Sequence, residues 1–367
     1  MRVLLITDTL RPDYGWGRYS IGLIRALREE GLPFSLLSPR ELCTEPDLAG
    51  MPTHGRVTSF VSQTRRLSKL TLVNALRIRR ALSGCDVVHC LTEPYAIPAA
   101  LVAGQKPVVV TLHGTYAVRP FTRPGERWWY ELAYRRAARL CPVSRFTKSL
   151  LPERFQTAKT QVVPEGVEVE RFGSAGSGPR AGDPPFLLSV GPIKKRKGYA
   201  TAIEAFAKVR AARPDVEYWI AGGTDDRVFL REIEGRIAAL GLQGAVKLLG
   251  RVTDDELVSL YQRCAAYWLL AIDDDLQFEG FGLTYWEALA AGVPAIGTRR
   301  SGAEDAIVDG ETGYLVEPHD AEGAARAALA LLAVPERARA MGAEGRKRVH
   351  SWSSAAREFM RHYEALT

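Results

Sequence analysis

Glu279 and Glu287, in the stretch FEGFGLTYWEALAAGVPAIGT (278–298), are the residues best suited by type and spacing to do chemistry. Gly280 and Gly282 follow the first acid and let backbone come close to a ligand. A helix is predicted to start near Leu283 and to be stopped by Gly292 and Pro294. Its N-terminus offers free backbone N–H groups and the positive end of the helix dipole, which suit an anion such as a diphosphate. Two carboxylates flanking such a loop can accept hydrogen bonds from two sets of hydroxyls, a sugar on one side and a ribose on the other. The plainer alternative is one acid that caps the helix and one that is merely exposed. The glycines and the Gly-Val-Pro stop weigh against it.

A second constellation is SVGPIKKRKGYATAIEAF (189–206), where Lys194, Lys195, Arg196 and Lys197 lie between an apolar strand and a helix. Cations at the carboxyl end of a strand fit the charge of a leaving diphosphate, although a solvated charge run is the commoner fate of such clusters. In DTLRPDYGWGRYSIGLIRAL (8–27), Gly15 and Gly17 open a helix after the first strand, again implying close backbone approach. The third position of a full dinucleotide fingerprint is Ser20, and Ser38 stands where an acid would end the next strand, which argues against NAD. His113, in VVVTLHGTY, ends a strand, where functional residues of α/β sheets collect. Asp273, Asp274 and Asp275 could hold a cation, but a solvated acidic loop fits them better. Serine-hydrolase, zinc-protease and Walker motifs are absent from the sequence, and no metal is expected.

These side chains need a scaffold, and the chain supplies one. Short apolar runs at 2–8, 33–38, 86–91, 107–113 and 139–144 alternate with amphipathic stretches, the α/β signature, and their near-continuous apolarity suits parallel strands covered on both faces. GSAGSGPRAGDPP (173–185) reads as a linker. A second series follows at 186–191, 217–223, 245–250, 265–271, 294–298 and 313–318. The reading is a first domain over 1–172, a linker over 173–185 and a second domain over 186–352, with a last helix near 353–367 returning to the first domain. Both domains are expected to be doubly wound and to face each other across a cleft.

Composition agrees with this architecture. At 367 residues, 46% hydrophobic and 25% charged, the chain is an ordinary globular one, which excludes disorder, collagen and coiled coil. Five scattered cysteines without a CxxC pair point to a reducing compartment. No signal-peptide apolar region follows Arg2, so a cytoplasmic protein is expected. The net charge of +7 is uneven: residues 51–150 hold 16 Lys/Arg against 4 Asp/Glu. The basic stretches from Arg56 and Arg119, the latter with Trp128, Trp129 and Tyr130 among its arginines, suit an anionic membrane surface at about 1 kcal/mol per basic residue. Solvated helix faces are the alternative. No nucleic-acid-binding motif accompanies the charge, so a nucleic-acid partner is not expected.

Taken in this order, the motifs resemble those of the retaining glycosyltransferases of family 4, which have the GT-B fold. Glu279 and Glu287 match the family's Glu-x7-Glu motif, and SVGPIKKRKG its Gly-Arg-…-Lys-Gly segment. VVPEGVEVERF (162–172), LLGRVTDDELVSLYQRCAAYWLLA (248–271) and DGETGYLVEPHD (309–320) resemble further family segments, so the likeness runs over essentially the whole chain. The resemblance implies that Glu279 holds the transferred sugar's hydroxyls and Glu287 the ribose. Lys197 with Arg196 would neutralise the departing diphosphate, Lys194 being the second choice. The amides of Gly280, Phe281, Gly282 and Leu283 would face phosphate and sugar. His113 would sit by the sugar, and Gly15 and Gly17 would approach the diphosphate. Pro192, Glu165 and Asp305 depart from the family's Arg, Asn and Glu.

The function so implied is transfer of a sugar from a UDP- or GDP-sugar to a hydroxyl of a glycan or lipid-linked acceptor, as in polysaccharide biosynthesis. It would proceed with retention by same-face displacement, without an obligatory metal or other cofactor, while the domains close about 173–185. A nucleotide-sugar epimerase or hydrolase of the same fold, and a non-catalytic sugar-binding relative, are the alternatives.

Overall fold

The computed structural model describes residues 1–51, 54–60, 67–173, 183–224, 226–275 and 277–367. Nearly all of the expected linker, 174–182, lies outside the described residues, as does 61–66 of the basic stretch from Arg56. The chain divides into two compact units, Met1–Gly166 with His350–Thr367, and Val167–Val349.

The first unit is built on a six-stranded parallel sheet of β1 (Val3–Ile6), β2 (Phe34–Ser38), β3 (His54–Arg56), β4 (Val87–Cys90), β5 (Val108–Leu112) and β6 (Arg139–Pro142). Its spatial order is β3-β2-β1-β4-β5-β6. In register, Val3 stands between Phe34 and Val87, and Ile6 between Leu37 and Cys90. The alternation of a strand then sends Leu4, Ile6, Val88 and Val110 to one face, under helices Leu67–Ala81, Ala96–Val102 and Pro124–Arg136. Val3, Leu5, Val87 and Val109 go to the other, under helices Gly15–Glu29 and Trp352–Glu364. Covering on both faces is why β1, β4 and β5 read as unbroken apolar runs. The last helix is capped by Ser351, whose hydroxyl accepts from the Ser354 amide. Its Trp352 ring fills the space beside Gly22, where a β-carbon would come within 2.2 Å of it.

The second unit repeats the plan with β7 (Phe186–Val190), β8 (Glu217–Ala221), β9 (Val246–Gly250), β10 (Ala266–Leu269), β11 (Ala295–Thr298) and β12 (Gly313–Val316), all parallel, in the order β12-β11-β10-β7-β8-β9. Leu188 of β7 lies between Trp219 and Tyr267. In both sheets the order reverses beside the first strand of the unit, between β1 and β4 and between β7 and β10. Ligands of doubly wound sheets bind beyond the carboxyl ends of the strands at such a switch point. Residues 167–172, which the sequence assigns to the first domain, belong to the second unit. Phe172 meets the Tyr261 ring edge-on, its carbonyl accepts from Gln262 Nε2 at 2.8 Å, and Arg171 pairs with Asp254. The three-residue strand β3 is also absent from the sequence reading, being too short to make an apolar run.

Candidate active site

In the second unit, β7 and β10 deliver their following loops to the switch point, and the two loops are pressed together. Gly198 has φ 68°, and a β-carbon there would fall 1.6 Å from the Leu270 carbonyl oxygen, so only glycine fits. The Ile272 amide donates to the Arg196 carbonyl at 2.9 Å. Between them, Lys195–Lys197 forms one 3₁₀ turn that aims Arg196 and Lys197 at the loop from β10.

Both cations converge on one oxygen of Glu279. Lys197 Nζ donates to Oε2 at 2.6 Å and Arg196 Nη1 donates to it at 2.9 Å. Among the described residues Glu279 Oε1 has no hydrogen-bond partner. Burial pushes the Glu279 carboxyl up, but the attraction of Lys197 and Arg196 outweighs it and brings the group down to about 2. The carboxylate is therefore ionised. Burial draws the Lys197 ammonium below the ordinary lysine range, with Glu279 pulling it back up and Arg196 pushing it further down. Lys194 and Lys195 are exposed and take no part in this pair.

The loop after Glu279 is backed by a second close approach. Gly302 donates its amide to the Glu279 carbonyl at 2.8 Å, and a β-carbon at Gly302 would lie 2.5 Å from the Phe281 carbonyl carbon. Gly282, at φ 74°, then starts helix Leu283–Ala290 in the left-handed region. The Tyr285 amide donates back to the Gly282 carbonyl at 2.9 Å, while the amides of Leu283 and Thr284, at the first turn, have no carbonyl to reach within the helix and suit an anion. One turn on, Glu287 is buried and accepts from the Tyr261 hydroxyl at 2.9 Å. Tyr261 sits on helix Asp254–Arg263, which Thr253 and Glu256 start with a reciprocal capping box. The sequence does not single out Tyr261, since its spacing from Leu257 and Leu260 reads as a core face.

The first unit holds the other expected residues. A β-carbon at Gly17 would lie 2.0 Å from the Arg11 carbonyl oxygen, whereas nothing approaches the corresponding point at Gly15. His113 is almost fully buried at the end of β5. Its Nε2 is 2.9 Å from the Leu91 carbonyl, its Nδ1 is 3.5 Å from Glu165 Oε1, and its backbone N–H donates to Glu93 Oε1. Burial lowers the His113 imidazole, but the hydrogen bond to Glu165 and the charges of Glu93 and Glu165 raise it above the usual histidine value. Two buried acids beside the strand ends, Asp8 and Glu93, escape the sequence reading. Asp8 accepts from Ser59 Oγ, the Phe60 amide and the Tyr95 hydroxyl at 2.7–3.0 Å, which explains it as a structural anchor. Among the described residues, no group of three or more His, Cys, Asp or Glu could hold a metal ion, and no helix is long and apolar enough to cross a membrane.

The site thus joins a paired, ionised acid, two cations and an amide-rich helix start. The family described as Glycosyl transferases group 1 matches residues 151–348, and that described as Glycosyltransferase Family 4 matches residues 15–171. The chain belongs to the group 1 glycosyl transferases. A GDP-mannose-dependent alpha-(1-6)-phosphatidylinositol monomannoside mannosyltransferase of Mycolicibacterium smegmatis is 30% identical over 288 residues, 74% of each chain. A glycogen synthase of Mycobacterium tuberculosis is 29% identical over 74% of this chain and 66% of that protein. Among solved structures, Anabaena HepE in complex with UDP and glucose superposes with a TM-score of 0.78 at 16% identity, covering 100% of both chains. Sucrose-phosphate synthase of Thermosynechococcus elongatus superposes with a TM-score of 0.81 at 21% identity, covering 100% of this chain and 99% of that one. These likenesses establish the GT-B fold of the glycosyltransferase.

Proposed function

We propose that the enzyme transfers a sugar from a nucleotide-diphosphate sugar, with UDP or GDP as the leaving group, to a hydroxyl of a glycan or lipid-linked acceptor. The observation that carries this reading is the Lys197–Glu279–Arg196 pair beside the start of helix Leu283–Ala290. Breaking a glycosyl–phosphate bond develops positive charge on the sugar and negative charge on the diphosphate. Lys197 and Arg196, with the amides of Gly280, Phe281, Gly282 and Leu283, stabilise that diphosphate, and Lys194 adds a more distant positive charge. Glu279 Oε1 accepts from the sugar's hydroxyls while Oε2 stays with the cations, and Glu287 accepts from the ribose. In the first unit, His113, Gly15 and Gly17 are the residues to which the family resemblance gives sugar and diphosphate contacts. The acceptor's proton passes to the leaving phosphate as its oxygen bonds to the anomeric carbon on the face the phosphate leaves. This gives retention, and the protein's cations serve in place of an obligatory metal. The names of the relatives support a nucleotide-sugar donor and a lipid or glycan acceptor.

The test is a panel of UDP-, GDP- and ADP-sugars in thermal shift. A donor at 100 times its dissociation constant adds ~2.7 kcal/mol of stability. The product's anomeric configuration by NMR, with and without chelator, then decides mechanism. Inversion would overturn same-face attack, and nucleotide release unaffected by any acceptor would favour a hydrolase.

A cytoplasmic enzyme acting at an anionic membrane surface is the setting we propose. Helix Leu67–Ala81 buries Leu70, Asn74, Ala75 and Ile78 but leaves Leu72, Val73 and Leu76 in solvent beside exposed Lys69, Arg79 and Arg80. Helix Pro124–Arg136, packed in the same layer, exposes Trp128 and Trp129 beside Arg127 and Arg135. Basic rims around apolar and indole side chains suit an anionic interface. Sedimentation with anionic and neutral vesicles at low salt tests it, and no binding to either would remove it.

A further inference from the structure

Two histidines stand on neighbouring strands of the first unit and are held in opposite ways. His89, on β4, has hydroxyls at both ring nitrogens, Tyr363 at 2.6 Å and Thr111 at 2.9 Å, and hydroxyls can serve either tautomer of a neutral ring. His113, at the end of β5, has only acceptors. The Leu91 carbonyl at Nε2 cannot donate, so Nε2 carries a proton. Nδ1 faces the Glu165 carboxyl at 3.5 Å. The remaining groups around the ring come from three elements: Glu93 from the turn after β4, His89 from β4 itself, and Tyr19 from helix Gly15–Glu29, edge-on at 4.5 Å. Glu93 is fully buried, and its Oε2 has no hydrogen-bond partner among the described residues. Burial pushes the Glu93 carboxyl up, against the attraction of His113. Glu93 Oε1 accepts from the His113 backbone N–H, so the ring and the main chain of His113 both face acceptors inside the unit.

We propose that Glu165 is a positioning residue that favours His113 as an imidazolium, its Nε2–H held by the Leu91 carbonyl and its Nδ1 facing the Glu165 carboxyl. His113 then has no lone pair with which to take a proton from an acceptor hydroxyl. It contributes a fixed positive charge at the end of β5, and the acceptor's proton must leave by another base, such as an oxygen of the departing phosphate. Glu165 replaces an asparagine in the family pattern, and an amide there would not hold the charge in the same way. The kinetic consequence rests on the proposed transfer reaction, whereas the protonation state does not.

The experiment reads both. Enzyme labelled with ¹³C at histidine Cε1 is titrated from pH 5 to 10, with the His113 signal assigned from a His113→Gln variant. The expected midpoint lies above the ordinary value of 6.5, and in Glu165→Gln it falls by about one unit or more, as for loss of a close opposite charge. Glu165→Asp keeps part of the shift, which guards against a Gln variant that fails to fold. The pH profile of nucleotide release from UDP-glucose or GDP-mannose should show an alkaline limb that moves down with the midpoint in Glu165→Gln while donor KM holds. A His113 midpoint at or below 6.5, a midpoint unmoved by Glu165→Gln, or an acid limb that follows the His113 midpoint would each overturn the proposal. An enzyme that turns over neither donor leaves the titration decisive and faults the transfer reading instead.

Discussion

The two units share one strand order and use it differently. In the second, the switch point between β7 and β10 gathers oppositely charged side chains with short, direct contacts, and the outside is closed. Among the described residues only Val228, Leu240 and Val334 are large apolar side chains left exposed there. In the first, Asp8 and Glu93 beside the strand ends are fully buried, and among the described residues ten large apolar side chains remain exposed, the helices Leu67–Ala81 and Pro124–Arg136 supplying five of them. One topology therefore serves two tasks. On the proposed function, the loops after the strands would carry the chemistry in the second unit, and the outer helix faces of the first would meet an anionic surface.

The largest effect that would sharpen this contrast comes from the second unit. Lys197→Ala removes a preorganised cation and leaves the Glu279 carboxylate to Arg196 alone. Turnover should fall about 10²–10³-fold, or ~2.7–4 kcal/mol, with a smaller loss of donor affinity. Steady-state kinetics beside calorimetry checks it. An equal loss in both would make Lys197 a tether rather than a stabiliser of the leaving group.

Next comes Glu287→Ala, which should weaken donor binding about 10- to 150-fold, the scale of a hydrogen bond to a charged group at ~1.5–3 kcal/mol. Tyr261→Phe, which removes only the hydroxyl 2.9 Å from Glu287, should cost less. Unchanged affinity in Glu287→Ala by calorimetry would refute the ribose role.

A third prediction separates the units by acid. Burial holds His89 at about 3 and also lowers His350 and His362, all in the first unit. A histidine whose folded value lies below its unfolded one binds its proton better when unfolded, so its stabilising effect is lost as pH falls below 6.5. At pH 5.5, one unit below that value, His89 alone should cost about tenfold in the folding equilibrium. His113, raised instead, stabilises fully below 6.5 and loses this above its folded value, so it partly offsets the loss. In the second unit the acid-sensitive buried group is Glu279, lowered to about 2, whose contribution is kept above its ordinary 4.5 and lost only below it, as are those of the surface groups Asp215, Glu256 and Glu344, which are also lowered. Hydrogen exchange at pH 5.5 against pH 7.5 should therefore show protection falling in β4 and β5 before β7 and β10. His89→Phe should shrink the difference, and equal loss in both units would break the comparison.

How much of this was legible beforehand follows from where each contact closes. The eleven apolar strand runs were readable because both sheet faces are covered, while β3 was too short to register. The spacing of Glu279, Glu287 and the Lys194–Lys197 cluster pointed to a donor site. What it did not convey is that Arg196 and Lys197 face Glu279 itself, across more than 80 residues, because a buried carboxylate requires cations of its own. Tyr261, Glu93 and the orientation of the His113 ring were illegible for the same reason. Each depends on a partner from another element, and no local period marks it.

The smallest expected effect tests the outer faces. Full burial of a leucine side chain stabilises by ~1.5–3 kcal/mol, and Leu76 is already about half covered within the protein, so Leu76→Ser should lower partition into anionic vesicles about fivefold. Val228→Ser in the second unit is the matched control. That side chain is more exposed than Leu76, at 71% against 52%, yet among the described residues it is the only exposed large apolar side chain of helix Arg227–Ala239, whereas Leu76 shares its helix with exposed Leu72 and Val73. Equal losses in the two variants would show that scattered apolar exposure, not the face of the first unit, governs binding. A loss confined to Leu76→Ser, and a partition that falls with added salt, would place the surface contact on helix Leu67–Ala81, because only charges near an anionic interface are screened that way.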